Sequence, residues 1–328
     1  MKYLGVDVSK DKLDCCLLRD ASDTRRKTKK VANSPDGLAA LISSMEKEGI
    51  RPDELHVIME GTGVYHQLAA ETLCDAGMTV SIANPAQVKE FGRGMAVRTK
   101  NDTKDSFVLA RFGALLKPVA WTPPPAAARQ LQAYVAREDA IKKDIQREQN
   151  RKEKSVIGRA PADVLVSIDE TIEFLKIQLK AIRKKIKAHI DRHPDLKDDM
   201  KLLTSIPGVG PETGHHMLSV MHAHQFRSAE QLAAYLGLVP VERQSGTSLH
   251  ARPKLSKAGP KTIRAALYMP AVTALTWNPH IRAHKERLAA KGKTPMAIVG
   301  AAMRKLVHLC FGVVKTRTRY SSDHVQAA

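Results

Sequence analysis

Tyr3-Leu4-Gly5-Val6-Asp7-Val8 is the stretch that decides how this 328-residue chain folds. A short apolar run closed by polar turn residues reads as a buried strand, and it carries Asp7 to a strand end. Two further runs, Leu13 to Leu18 and Lys27 to Val31, follow across polar turns, so the chain opens as a meander. Ser34-Pro35 then sets an N-cap before a first-turn proline, and the helix runs through Leu38, Leu41, Ile42 and Met45 to Gly49. A fourth strand, Leu55 to Met59, delivers Glu60. Gly61-Thr62-Gly63 leads into a helix ending near Gly77, and Met78 to Ala83 reads as a fifth strand stopped by Asn84-Pro85.

Strand, strand, strand, helix, strand, helix, strand is the element order of the RNase H fold. There the first and fourth strands are neighbours, so Asp7 and Glu60 should meet at one edge of the sheet, where α/β sites form. Asp102 and Asp105 fall near the start of a helix expected over about 103 to 116, and their i, i+3 spacing puts them on one face. An acidic pair favouring a helix N-terminus would explain Asp102 and Asp105 alone. It does not explain Asp7 and Glu60 at matching strand ends. Carboxylates of this kind suit Mg²⁺ or Mn²⁺, which nucleases use to stabilise the attacking and leaving oxygens of a phosphodiester.

Composition points the same way. Lys and Arg outnumber Asp and Glu by 53 to 34, a formal +19 that favours a polyanionic partner held by phosphate contacts. Residues 201–328 hold 18 basic and only 5 acidic side chains, so the grip is concentrated there. Aromatics are 4%, too few for a long single-strand stacking platform. Membrane spanning is not expected: the nearest candidate, Met296 to Val314, is interrupted by Arg304, Lys305 and His308. The first residues do not resemble a secretory signal, and Cys15, Cys16, Cys74 and Cys310 form no CxxC pair, as expected of reduced thiols in a cytoplasm.

Pro118 and Pro123-Pro124-Pro125 end the first of three expected domains, 1–125. Residues 126–200 read as long helices. Leu165, Ile168, Ile172, Leu175, Leu179, Ile182 and Ile186 step as a heptad seam, which fits a coiled coil with residues 126–155 or with a second subunit. The third domain, 201–328, reads as mainly α. It opens on a helix, the Ile206-Pro207-Gly208-Val209-Gly210 turn and another helix, either a helix-hairpin-helix whose Gly208 and Gly210 admit a phosphate or a plain helix-helix turn. His215, His216, His222 and His224 have no nearby Cys and match no common zinc spacing.

Beyond Pro240 lies a basic segment with Arg243, Arg252, Lys254, Lys257, Lys261 and Arg264 around Ser245-Gly246-Thr247-Ser248. It reads either as a flexible loop that only holds phosphate or as the seat of a nucleophile. Three hydroxyls compete for that role, and only Ser245 directly precedes the glycine.

The chain resembles insertion-sequence transposases of the one-hundred-ten family, the bridge-RNA-guided recombinases related to pilin-gene DNA invertases. The resemblance rests on Gly5-Val6-Asp7-Val8-Ser9-Lys10, Glu60-Gly61-Thr62-Gly63-Val64-Tyr65, Asn84-Pro85, Lys100-Asn101-Asp102-Thr103-Lys104-Asp105, Ile206-Pro207-Gly208-Val209-Gly210, Ser245-Gly246 and Ser256-Lys257-Ala258-Gly259. It implies a RuvC-like catalytic domain with a DEDD metal site on Asp7, Glu60, Asp102 and Asp105, and a transposase domain whose Ser245 becomes joined to DNA. It also implies target and donor DNA as substrates, a noncoding bridge RNA, a homodimer or homotetramer, and a bacterial, nucleoid-associated location. Gly61, Ser106 and His222-Ala223-His224 depart from the family pattern without touching these five residues. The alternatives are an RNA-independent invertase, a hydrolytic junction nuclease, or a non-catalytic nucleic-acid-binding protein on the same scaffold.

Overall fold

The computed structural model describes residues 1–23, 26–61, 63–95, 102–245 and 249–322, without the side chains of residues 102–103, 243–245 and 249–252. The chain divides into two units, Met1–Pro123 and Pro124–Ala328.

In the first unit β1 (Lys2–Val8), β2 (Lys12–Leu18) and β3 (Lys27–Ala32) form the expected meander. α1 (Pro35–Lys47), β4 (Leu55–Glu60), α2 (His66–Asp75) and β5 (Thr79–Ala83) follow, giving the sheet order β3-β2-β1-β4-β5. β4 lies parallel to both β1 and β5, while β1, β2 and β3 pair antiparallel. This is the RNase H arrangement. Side chains alternate along each strand: Leu4, Val6, Leu13, Cys15, Val57 and Met59 build one core, while Tyr3, Ile58 and Ala83 belong to another on the opposite face.

Ser34 caps α1 by accepting from the Gly37 N–H. Asn84-Pro85 does more than stop β5: Asn84 accepts from the Ala86 N–H and Pro85 opens a further helix, α3 (Pro85–Gly94). The free edge of β5 is covered by the segment that follows α4 (Asp102–Leu116), where the Trp121 N–H donates to Val80 O at 2.7 Å and Ser81 Oγ to Val119 O at 2.8 Å.

α4 lies on β1 at a height that only glycine allows. A Cβ on Gly5 would fall 2.0 Å from Ser106 O and 2.4 Å from Ala110 N. One on Gly113 would fall 2.1 Å from Ile58 Cδ1 and 3.5 Å from Tyr3 Cδ1. With Gly113 near Tyr3 and Ser106 near Gly5, α4 runs antiparallel to β1, and its first turn comes over the Asp7 end. Val108, Leu109, Ala110, Phe112 and Ala114 are buried, whereas Leu115 and Leu116 stay exposed, so the buried face ends before the helix does.

The second unit begins with α5 (Ala126–Ile157) and α6 (Ala162–Arg192), which pack against each other. Of the heptad positions, Ile168, Ile172, Ile182 and Ile186 are buried. α7 (Pro194–Leu203) and α8 (Pro211–Ala223) flank the Pro207–Gly210 turn, and α9 (Ala229–Tyr235) follows. A two-stranded sheet comes next, β6 (Pro240–Ser245) and β7 (Leu249–Leu255), in place of an irregular basic loop. α10 (Lys261–Ala266), α11 (Tyr268–Trp277), α12 (Pro279–Ala290) and α13 (Pro295–Thr316) complete the described chain. By length and composition α13 could cross a membrane. Its packing explains that composition, because Ala302, Met303, Leu306, Val307, Cys310 and Val313 sit in the core of the unit.

Among the described residues this helical unit buries two carboxylates, Asp199 and Glu138. Glu138 on α5, 3% exposed, faces Arg183 Nε of α6 at 2.8 Å, Lys142 Nζ at 3.1 Å and His215 Nδ1 of α8 at 3.9 Å. Glu212 of α8 joins through Lys142 at 2.5 Å and Arg183 at 3.5 Å. Burial opposes ionisation of Glu138, but hydrogen bonding to His215, Arg183 and Lys142 outweighs it and brings the carboxyl down to about 2.

Gly5→Ala should cost about 3 kcal/mol as α4 is forced off the sheet, seen as earlier urea unfolding of the first unit; an unshifted transition would contradict the close contact. Glu138→Gln should lose about 2 kcal/mol at pH 7 by removing the charge of a buried carboxylate that hydrogen-bonds the partly exposed Arg183 and Lys142. Folding lowers this carboxyl from 4.5 to about 2, so its stabilisation is fully present above about pH 4.5 and fades as pH falls toward 2. Melting temperatures of the two proteins should therefore draw together between pH 5 and pH 3, and a constant gap would refute the assignment.

Candidate active site

Val6 pairs with Met59, so the residues that follow, Asp7 and Glu60, stand side by side at neighbouring strand ends. Alternation puts Asp7 on the face of Gly5 and Glu60 on the face of Ile58, and both Gly5 and Ile58 lie against α4. Both carboxylates therefore share the α4 side of the sheet, beneath the helix turn that begins at Asp102 and includes Asp105. Asp7, Glu60 and Asp105 are half-buried, open enough for an ion and a strand to reach them. The Asp102 side chain lies outside the described residues.

Among the described residues no three His, Cys, Asp or Glu side chains converge as a metal cage. Hard oxygen donors at a partly open edge still fit a divalent cation, which can take one or two carboxylates and complete its shell with water and phosphate.

A further carboxylate belongs to this row. Asp14 lies directly opposite Asp7 in the β1–β2 pairing, is 4% exposed, and is held by Lys30 Nζ at 2.9 Å and Lys12 Nζ at 3.4 Å. Sequence reasoning does not single it out, although the two strands, once paired so that Val8 meets Leu13, already set Asp7 against Asp14.

The serine lies in the other unit. Ser245 is the last residue of β6 and pairs with Leu249, in a hairpin whose register shifts between Val241 and Arg243. Gly246, Thr247 and Ser248 lie outside the described residues, as do the side chains of Ser245, Arg243 and Arg252, so the choice among the three hydroxyls stays open. The base of the hairpin is fixed. The Ser256 N–H donates to Val239 O at 2.9 Å, the Lys257 N–H to Gly237 O at 3.2 Å, and Leu255 packs on Gly300 of α13. Gly259 has φ +107° and passes so close to Tyr235 O that a Cβ would lie 1.9 Å from it.

Around that base Lys254, Lys257 and Lys261 are exposed, while Arg264 turns inward to donate to Leu236 O at 3.2 Å. The two turn glycines differ. Gly208, at φ +100°, lies against Ala274 and Pro270 of α11, whereas Gly210 caps α8 and would meet nothing within 4 Å.

The four histidines do not gather. His215 faces Glu138, His216 lies 3.3 Å from Asp139, and His222 lies 2.8 Å from Asp199, whose other oxygen takes Arg317. His224 Nε2 meets the Tyr235 hydroxyl at 2.8 Å. Burial pushes the His224 pKa down and that of Tyr235 up.

Comparison with known proteins joins the two halves. The DEDD transposase family of the IS110 type matches residues 4–156, and the transposase IS116/IS110/IS902 family matches residues 200–286. The pilin gene-inverting protein of Moraxella bovis is 30% identical over 315 residues, covering 95% of both chains. An IS110 insertion-element protein of Streptomyces coelicolor is 29% identical over 169 residues, 51% of this chain and 40% of its own. A solved Thermus thermophilus RuvC, in complex with a Holliday junction substrate, is 14% identical over 35% of this chain and 92% of its own, with a TM-score of 0.27. The chain belongs to the IS110 family of transposases and is a DNA transposase/recombinase.

Proposed function

We propose that this enzyme is an insertion-sequence recombinase that cuts and rejoins target and donor DNA through a covalent phosphoserine intermediate, with a bridge RNA choosing the sites. The observation that carries the cutting half is the register that sets Asp7 beside Glu60 under the first turn of α4. In this reading Asp7, Glu60, Asp102 and Asp105 hold Mg²⁺ or Mn²⁺, which when bound supplies positive charge to the reacting phosphate.

Ser245 is the proposed nucleophile. Its Oγ loses a proton and bonds to phosphorus, while the bridging P–O bond breaks and that oxygen leaves as a strand-end hydroxyl. The bond energy is kept in the phosphoserine, so a second strand-end hydroxyl can displace the serine and reseal the DNA without ATP. Arg243, Arg252, Lys254, Lys257, Lys261 and Arg264 would hold flanking phosphates, joined by the Gly208–Gly210 turn as a helix-hairpin-helix, with Gly210 the more open of its glycines.

We read residues 1–125, 126–200 and 201–328 as catalytic, coiled-coil and transposase domains of a cytoplasmic, nucleoid-associated enzyme. Val166, Phe174 and Ile177 stand 55 to 64% exposed on α6, apolar area that supports pairing into dimers and tetramers. The likeness to a pilin gene-inverting protein favours a second reading, inversion at protein-read sites without a guide. RNA that co-purifies and is required for cutting separates the two.

With Mg²⁺ and labelled DNA spanning an element junction, the protein should form a denaturant-resistant adduct. Ser245→Ala should abolish it, and Asp7→Asn or Glu60→Gln should cut the rate by about 10³-fold, roughly 4 kcal/mol of lost stabilisation. Cleavage without an adduct, indifferent to Ser245→Ala, would make the enzyme a hydrolytic nuclease.

A further inference from the structure

The face that carries Asp7 does not end at Asp7. Residues directly opposite in neighbouring strands point to the same side, and the pairings run Asp7 to Asp14, then Asp14 to Lys30. Lys12 lies two residues before Asp14, and so on the same face. Thr28 and Arg26 lie two and four residues before Lys30. Arg26 confirms the side by resting its guanidinium 4.0 Å from the centre of the Phe107 ring on α4.

Across the β2–β3 flank, then, three cations stand on the carboxylate side of the sheet. Arg26 and Lys30 are separated by about 13 Å of strand. Asp14 is buried beneath two of them, while the Lys30 and Lys12 side chains remain 62% and 47% exposed. Both ammonium groups thus sit at the surface with their stems anchored over Asp14, where a phosphate can reach them.

β3 itself reads Lys27-Thr28-Lys29-Lys30-Val31-Ala32, with no acid, and Lys27 is drawn to Glu48 at 2.7 Å. Between β3 and α4 a cavity of about 80 Å³ is lined by Thr28, Lys29, Lys30 and Ser106 along with Asp14 and Cys15. It therefore offers hydroxyl and ammonium donors immediately beside the α4 turn that follows Asp105.

We propose that Lys12, Lys30 and Arg26 form a phosphate rail that holds the DNA strand on one side of the phosphodiester presented to Asp7 and Glu60, with Asp14 as the buried anchor that sets the two lysine heads. This rests on the proposed function, in which the strand being cut is DNA, and it gives the carboxylate edge its own means of setting register. Phosphate contacts of this kind fix position without reading bases. Each also adds to the salt dependence of binding.

The test is a salt titration of binding, using the full-length protein with any co-purified RNA, Ca²⁺ in place of Mg²⁺, and either labelled junction DNA or a single-stranded RNA of equal length. The variants are Lys12→Gln/Lys30→Gln/Arg26→Gln and the charge-keeping Lys12→Arg/Lys30→Arg. The triple variant should bind DNA at least tenfold more weakly near 150 mM salt, with the slope of log K against log salt reduced by about 2 to 3. The arginine variant should keep the slope, and with it the evidence that the fold is intact. An unchanged slope for the triple variant overturns the rail, as does a loss confined to the RNA probe, which would make this flank an RNA surface. Cutting by Asp7→Asn, measured separately with Mg²⁺, would sink the proposed function and leave the rail to be judged by its slope.

Discussion

The contact between Gly5 and α4 governs the first unit of this molecule. A helix normally rides above a sheet on a layer of side chains, but here the Ser106–Ala110 backbone comes down onto a residue that has none. Gly113 repeats the device further along, facing Ile58 and Tyr3. Two close approaches on one helix fix both its height and its direction. The first turn of α4 is thereby brought level with the ends of β1 and β4, so the spacing of Asp7, Glu60 and Asp105 is set by packed secondary structure instead of by loops. Placement of that kind survives fluctuation of the surrounding surface.

Two buried acids in this protein show how environment separates structure from chemistry. Glu138 is ringed by Arg183, Lys142 and His215, and its carboxyl is brought down to about 2. Its charge is answered within the protein, and it acts as a rivet between α5, α6 and α8. The row on the sheet is built differently. Asp14 is buried and clamped, but Asp7 and Glu60 stand half-buried at neighbouring strand ends and Asp105 half-buried on α4. Carboxylates left partly open at a sheet edge can take up a divalent ion, which suits an enzyme that acts on DNA.

The strands and their order were legible because the runs are short and separated by strong turn signals, and Asp7 and Glu60 were legible because each stands at the end of an apolar run. What escaped notice depends on partners distant in sequence. Asn84-Pro85 reads equally well as a stop and as a start, and only the fold reveals α3. Leu115 and Leu116 carry the right hydrophobicity for a buried face but lie beyond the end of the sheet contact. The β6–β7 hairpin is built from Glu, Arg, Gln, His and Lys, whose periodicity is not hydrophobic, so pattern reading has nothing to detect. Glu138 interrupts the apolar spacing of Leu131 and Val135 on α5, and its partners come from two other helices.

Net charge is the coarsest of these signals, and it points away from the place where position matters most. Of the basic excess, the larger part lies in residues 201–328, where 18 cations face 5 acids. The first unit is almost neutral, yet its sheet sorts charge by face, with Lys12, Lys30 and Arg26 on the side that carries the carboxylates. A sum over the chain cannot register that sorting, because alternate residues of one strand belong to opposite surfaces. The two distributions suit different tasks. A diffuse excess raises affinity for any polyanion and speeds its capture, whereas a few cations held at fixed distances from a cutting edge determine which phosphate comes to rest there. An enzyme that cuts DNA and rejoins its ends needs the second kind of charge as well as the first.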